Sequence, residues 1–309
     1  MQRIGILTHP LRPGAGPVGE QLDALLQDRG IATWRQSVDE TNESLAVLIA
    51  VSDLVIAIGG DGTMLRAARI CAPADVPVFG VNTGRLGFLT ETSGADDSWR
   101  SAIDTLLSGH YWIEQRMMLT TEIWRNGELQ IRADALNDVV VSRSMVARSV
   151  YLDLYIDGGW TAEYHVDALI IATPTGSTAY ALAAGGPILP PELKNLLIAP
   201  VAPHLSMDRS IVLAEGATVE IVVAPDTLID VVMTVDGESD AALQPGDRVV
   251  VRASDQHSHF IRLRERNYFY RSLLDRMEPR IRARQMPVDQ TVAGNNGKSP
   301  ISSNVVKER

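Results

Sequence analysis

The string Ile56-Ala57-Ile58-Gly59-Gly60-Asp61-Gly62-Thr63 sets three glycines around one aspartate, between an apolar run and a helical stretch beginning Thr63-Met64-Leu65. Glycines let a backbone turn tightly and bring its amides close to a phosphate. A helix start adds unpaired N–H groups. A carboxylate at that spot repels phosphate, so phosphate binding alone does not explain it. It makes sense as a base for a hydroxyl, or as a ligand of a magnesium ion that travels with phosphates. The plainer alternative is an Asp-Gly turn in which Asp61 or Thr63 caps the helix. No Gly-x-x-x-x-Gly-Lys-[Ser/Thr] occurs, so phosphoryl transfer here would not be of the P-loop kind.

A second dense segment runs from Asp167 through Thr173-Pro174-Thr175-Gly176-Ser177-Thr178-Ala179-Tyr180 to Ala184-Gly185-Gly186-Pro187. An apolar strand enters a hydroxyl-rich loop and then a short helix of small residues. Hydroxyls, loop amides and an aromatic ring suit a ribose and an adenine, and Asp167 can accept from ribose hydroxyls or a carboxamide. The competing reading is a Thr/Ser-capped helix after a strand.

The elements that must position these groups alternate in the first third. Strands are predicted at Arg3–Thr8, Ile31–Ser37, Asp53–Ile58 and Val76–Val81, and helices at Val18–Arg29, Glu43–Val51, Thr63–Cys71 and Trp99–Leu107. That alternation predicts a Rossmann-like α/β domain on a parallel sheet over residues 1–110. Residues 111–264 carry strand runs such as Leu129–Ala133, Asp138–Ser142, Val150–Ile156, Ser210–Leu213, Thr218–Val223, Val231–Val235 and Arg248–Ala253. Asn126-Gly127, Asp157-Gly158 and Pro245-Gly246-Asp247 mark turns, so a β-rich, sandwich-like domain is expected. Residues 265–284 read as a helix packing back on the first domain, with Phe269, Leu273, Leu274 and Met277 at helical spacing. The polar, aperiodic residues 285–309 read as a disordered tail.

Within this frame, Gly59-Gly60-Asp61-Gly62-Thr63 and Thr173–Tyr180 resemble the motifs of the NAD kinases. So do Gly80-Val81-Asn82-Thr83-Gly84-Arg85-Leu86-Gly87-Phe88-Leu89, Asn137-Asp138-Val139-Val140, Gly185-Gly186-Pro187 and Val235-Asp236-Gly237-Glu238, in the family's order. The resemblance implies phosphate transfer from ATP, or polyphosphate, to the adenosine-ribose 2′-hydroxyl of NAD, with a divalent cation such as magnesium. Asp61 is then the proton acceptor. The implied dinucleotide set is Gly60, Gly62, Thr63, Phe88, Asn137, Asp138, Arg148, His165, Asp167, Thr175, Thr178, Ala179, Tyr180, Ala183 and Glu238; no metal ligand is assigned. His165 stands where relatives commonly carry arginine, a permanent cation replaced by one that depends on pH. Glu238 stands where they often have Gln or Asn. The family usually forms dimers or tetramers, so a homo-oligomer is implied.

Charge and composition bound the alternatives. The 309 residues include 38 acidic and 28 basic ones, a formal net charge of −10, which argues against nucleic-acid binding. No apolar run approaches the roughly 18–20 residues of a bilayer span, the N-terminus reads as a strand rather than a signal peptide, and the lone Cys71 suits a reducing cytoplasm. A lipid kinase would share Gly-Gly-Asp-Gly but would want a membrane-facing surface. A non-catalytic dinucleotide sensor would use Gly14-Ala15-Gly16-Pro17-Val18-Gly19, which fits Gly-x-Gly-x-x-Gly but is set off from the strand by His9–Pro13, so a Pro/Gly loop is expected there. His257 and His259 share a strand face without a third ligand, and a solvated face is expected.

Overall fold

The computed structural model describes residues 1–40, 42–84, 87–144, 148–204 and 207–277. The expected tail at 285–309 lies outside the described residues. The chain runs β1 (Arg3–Thr8), α1 (Ala15–Asp28), β2 (Ala32–Ser37), α2 (Glu43–Ala50), β3 (Leu54–Gly59), α3 (Asp61–Cys71), β4 (Val78–Asn82), β5 (Thr92–Ser93), α4 (Ser98–Leu107) and β6 (Trp112–Arg125). Then follow β7 (Glu128–Ala135), β8 (Asp138–Arg143), β9 (Val150–Ile156), β10 (Gly159–Val166), β11 (Ala168–Ala172), α5 (Tyr180–Ala183) and β12 (Asn195–Val201). The remainder is β13 (Ile211–Ala214), β14 (Val219–Val223), β15 (Val231–Val235), β16 (Glu238–Leu243), β17 (Arg248–Arg262) and α6 (Tyr268–Met277). Among the described residues no helix is long and apolar enough to cross a membrane.

The N-terminal part is α/β. Its strands pair in parallel in the order β4-β3-β1-β2, with every residue of β3 buried. Helices cover both faces, as a parallel sheet requires. Val18, Leu22 and Leu26 of α1 join Trp99, Ile103 and Leu106 of α4 on one side. Leu45 and Ile49 of α2 join Met64, Ala67 and Cys71 of α3 on the other. The C-terminal part is an antiparallel sandwich. One sheet is β13-β12-β11-β8-β15-β16, and the other includes β10-β9-β14-β17 with β6 and β7. Strands β9, β14 and β15 alternate buried and half-buried positions, the signature of one face turned to a core. Leu152, Leu154, Leu169, Ile171, Ile198, Ile221 and Val251 fill that core. The turns at Asn126-Gly127 and Asp157-Gly158 take positive φ at both residues, as two-residue hairpins need.

Two features differ from the sequence reading. Residues 14–19 are not a loop: Gly14 caps α1 at φ 87°, and the helix starts at Ala15. Pro17 is tolerated because a first-turn N–H has no helical partner anyway. Gly19 lets α1 close on the sheet, since a Cβ there would stand 2.8 Å from the Thr8 methyl. The second difference is β17, which runs on beyond Ala253 to Arg262 and pairs with β6, β14 and, at Phe260–Val78, with β4. One strand thus stitches the parallel and antiparallel parts into a single sheet.

That stitch carries buried charge. Arg262 is wholly buried; its Nε donates to Glu114 at 2.9 Å and its Nη1 donates to the Leu89 carbonyl at 2.9 Å and to Glu91 at 3.2 Å. Arg116 donates to Glu114 at 2.9 Å and to the Tyr268 hydroxyl at 2.7 Å, which ties α6 to the same cluster. Tyr268 in turn donates to Glu114 at 2.9 Å. Burial alone would raise the Glu114 carboxyl, but Arg116 and Arg262 hold it down at about 2. Glu114→Gln leaves two buried guanidinium groups undercompensated and should cost about 3–5 kcal/mol at pH 7. Because the folded carboxyl lies below its ordinary 4.5, this deficit should be full above that value and shrink as pH falls toward about 2. Urea unfolding of both forms across that range is the check; a deficit independent of pH would refute the charge argument.

Candidate active site

The Gly59-Gly60 turn ends β3 and opens α3. Its geometry explains the glycines locally. A Cβ on Gly59 would stand 2.1 Å from Thr63 Oγ1, and the Gly60 amide donates to that same oxygen at 3.3 Å. Thr63 is buried and its hydroxyl caps the helix, so the plainer reading holds for this side chain. Gly62 is different: nothing lies within 4 Å of where its Cβ would stand. Asp61, the first residue of α3, turns its carboxylate toward the loop after β4. Its Oδ2 accepts from the Phe88 amide at 2.8 Å and its Oδ1 from the Leu89 amide at 3.1 Å. Only glycine fits at position 87, because a Cβ there would stand 1.6 Å from Asp61 Oδ1. Thr90 fixes the same turn by accepting from the Gly87 amide at 2.8 Å and from Asn82 Nδ2 at 3.1 Å.

Asp61 and Gly62 open onto a cavity of about 410 Å³ between the two parts of the chain. Asn137, Thr175, Thr178 and Ala179 line it from the sandwich, Phe88 from the α/β part, and Phe269 from α6. A neighbouring cavity of about 420 Å³ shares Asn137 and Ala179 and adds Asp138, Ser142, Tyr180 and Asp236. The Thr-Pro-Thr-Gly loop reaches this place by pressing on Asn137. The Thr173 amide donates to the Asn137 carbonyl at 2.8 Å, and a Cβ on Gly176 would stand 2.1 Å from that oxygen. The loop's hydroxyls divide accordingly. Thr173 donates to the Leu136 carbonyl at 2.6 Å and Ser177 to the Pro174 carbonyl at 2.7 Å, so both brace the loop. Thr178 also braces the loop, donating to the Thr175 carbonyl at 3.1 Å, but both Thr175 and Thr178 line the cavity.

Other members of the sequence-derived set fall elsewhere. Arg148 and His165 line a third cavity, of about 480 Å³, with Tyr151, His204 and Asp226; it shares no lining residue with the other two. His165 meets Glu163 at 2.8 Å and the Tyr151 ring edge-on at 4.3 Å. Asp167 accepts from Arg143 through both oxygens, at 2.8 and 2.7 Å, which lowers its carboxyl below the usual range. Glu238 accepts from Arg66 Nε at 2.8 Å and lies 3.4 Å from Arg69 Nη2, pinning β16 to α3. Ala183 is exposed at the end of α5. His257 and His259 join no group of metal-ligating residues among the described residues, and His259 lies 2.9 Å from Asp75.

Sequence reasoning missed Arg116 and Phe269 as walls of the Asp61 cavity. Arg116 is buried, and its Nη1 donates to Thr175 Oγ1 at 3.3 Å. Its signal was Glu114-x-Arg116, two opposite charges two residues apart on one face of β6.

Matches to known proteins agree with this arrangement. Residues 7–111 match the family model described as the ATP-NAD kinase N-terminal domain, and residues 136–263 the ATP-NAD kinase C-terminal domain. The chain belongs to the NAD kinase family. It is 40% identical over 277 residues to the NAD kinase of Chloroflexus aggregans, covering 90% of this chain and 99% of that protein. It is 36% identical over 273 residues to that of Dehalococcoides mccartyi, covering 88% and 94%. Among solved structures, a yeast NADH kinase complexed with NADH shares the fold at a TM-score of 0.80 and 22% identity, over 93% of this chain and 90% of that one. An Archaeoglobus fulgidus NAD kinase in complex with ATP does so at 0.69 and 22%, over 89% and 98%. As a family member the chain is a kinase.

Inside the second cavity this family member holds two carboxyls close together. Asp236 accepts from the amides of Leu136, Asn137 and Asp138 at 2.9, 2.7 and 3.0 Å. Burial nevertheless pushes its carboxyl up, against those amides and nearby Arg69. Asp138 is pushed up to about 7, first by burial and then by the charge on Asp236. An acid raised in the folded state stabilises it fully below its ordinary 3.8, and loses that contribution as pH rises through about 7. Asp138→Asn should therefore match the unsubstituted chain near pH 4 and exceed it by about 2–4 kcal/mol at pH 8, as read by urea unfolding. Equal stability at both pH values would show that Asp138 titrates normally.

Proposed function

We propose that the chain transfers the terminal phosphate of ATP to the 2′-hydroxyl of the adenosine ribose of NAD, giving ADP and NADP. The observation that carries this reading is the Asp61 carboxylate, held by the Phe88 and Leu89 amides at the edge of a cavity that both parts of the chain line. Those two hydrogen bonds fix the carboxylate's direction and leave each oxygen with a free lone pair. In this reading Asp61 takes the hydroxyl proton while the 2′-oxygen bonds to the terminal phosphorus. The bond from that phosphorus to the bridging oxygen breaks, and ADP leaves with the electron pair. The bare face of Gly62 gives the sugar and phosphates room. Asn137, Thr175, Thr178 and Ala179 position the dinucleotide, with Asp138 and Tyr180 in the adjoining cavity.

Among the described residues no three His, Cys, Asp or Glu side chains gather as a metal cage. A magnesium ion fits such a site, because it binds through substrate phosphates, water and one or two carboxylates. Asp61 is the carboxylate in place to hold it, and the ion would neutralise charge on the phosphates in transfer. Arg148 and His165, gathered in their own cavity, belong in this reading to a homodimer or homotetramer in which a neighbouring copy completes the site. Polyphosphate is the alternative donor.

The purified chain, given ATP, magnesium and NAD, should form NADP. Asp61→Asn keeps the side chain's size but accepts no proton, and should lower turnover by about 10²–10⁴-fold with NAD affinity little changed. Weakened NAD binding with turnover near normal at saturation would remove Asp61 from the role of base.

A further inference from the structure

We infer that Arg12, in the loop after β1, is a donor-binding residue that grips the phosphates of the phosphate donor and makes no contact with NAD. The inference rests on the phosphotransferase reading above and adds a residue that no motif marked. Three observations place it.

The first is topological. Strand β1 sits between β2 and β3, and the chain leaves β1 through α1 to β2 on one side before crossing to β3 on the other. Helices α1 and α3 therefore lie on opposite faces of the sheet. The carboxyl ends of β1 and β3 diverge there into a crevice, the place where open α/β sheets bind their ligands. Its two lips are the loop bearing Arg12 and the Gly59-Gly60 turn that carries Asp61.

The second is contact. The Arg12 guanidinium lies against bare glycine backbone on the other lip. A Cβ on Gly60 would stand 2.8 Å from Arg12 Nη2 and 3.1 Å from its Cζ, and one on Gly84 would stand 3.3 Å from Nη1. The guanidinium thus bridges the ends of β3 and β4 beside Asp61.

The third is commitment. Among the described residues, other arginines around the site are bound to carboxylates: Arg66 and Arg69 to Glu238, Arg116 and Arg262 to Glu114, and Arg264 to Glu91. Arg12 is exposed, and its side chain makes no hydrogen bond or ion pair among the described residues. In a chain with a net charge of −10, this guanidinium has no acidic partner among the described residues, next to the carboxylate that would meet phosphates. A guanidinium's planar fork matches phosphate oxygens two at a time, and would offset the repulsion that Asp61 imposes on them.

The test is steady-state kinetics of Arg12→Ala and Arg12→Lys, with magnesium-ATP and NAD varied in turn, backed by thermal unfolding. Losing a charge-assisted contact to phosphate should raise the KM for ATP about 10–100-fold. The KM for NAD should stay within about twofold, since no contact to NAD is lost. Arg12→Lys should recover part of the loss, because it keeps the charge without the fork. Inorganic tripolyphosphate, competing with ATP, should weaken by the same factor as ATP if the contact is to phosphate rather than to the base. An unchanged KM for ATP, or an equal rise for NAD, overturns the inference, and so does a lowered unfolding temperature that accounts for lost activity. If the unsubstituted chain forms no NADP, the proposed function fails instead. Calorimetric binding of magnesium-ATP to both forms then still decides on Arg12, with equal affinities counting against it.

Discussion

An arginine sealed from water must be met by opposite charge, and Arg262 is such a group. Glu114, Glu91 and the Leu89 carbonyl converge on it because a buried guanidinium left unpaired would cost several kcal/mol. The Leu89 carbonyl belongs to the same short turn whose amides, at Phe88 and Leu89, hold the Asp61 carboxylate. Compensating one buried charge at the junction of two sheet regions therefore orients the Asp61 carboxylate on the far side of that turn. Tyr268 joins the cluster from α6, and the next residue, Phe269, faces Phe88 at 6.3 Å between ring centroids. The last helix is thus anchored to β6 through polar contacts and then closes the cavity with an aromatic wall against Phe88.

Close backbone approach is the second constraint. At Gly59, Gly87 and Gly176 a side chain would collide with Thr63, Asp61 and Asn137 respectively. Each collision marks a place where one part of the chain is pressed onto a group that shapes the cavity. The glycine-rich segments therefore serve contact between tertiary neighbours as much as approach to a ligand. This accounts for glycine at position 87, where a Cβ would stand 1.6 Å from Asp61 Oδ1.

Much of the arrangement is legible in the sequence because local rules decide it. The alternation of apolar runs and helical stretches through residue 107 has one good solution, a parallel sheet covered on both faces. The alternating strands after it need a core on one side only. Asn-Gly and Asp-Gly dictate their hairpins. What local rules misjudge are residues 14–19, where composition suggests a loop but packing against Thr8 and Ile58 rewards a helix. The site was legible as two segments, but not how its hydroxyls would be shared. Thr63, Thr173 and Ser177 look like ligand groups in sequence and act as internal caps and braces. Glu238 and Asp167 likewise find arginines that are distant or unremarkable along the chain.

By itself the sequence determined which kinds of element form, where the glycine-framed Asp61 carboxylate lies along the chain, and which family the chain resembles, because periodicity and short motifs are properties of neighbouring residues. Only the tertiary structure decided which charges meet. Arg116 with Thr175, Arg262 with Glu114 and Leu89, and Arg12 over Gly60 and Gly84 join segments far apart in number. Electrostatic and steric energies depend on distance in space, and the register of β17 against β6 and β4, which no local pattern specifies, brings several of those groups together.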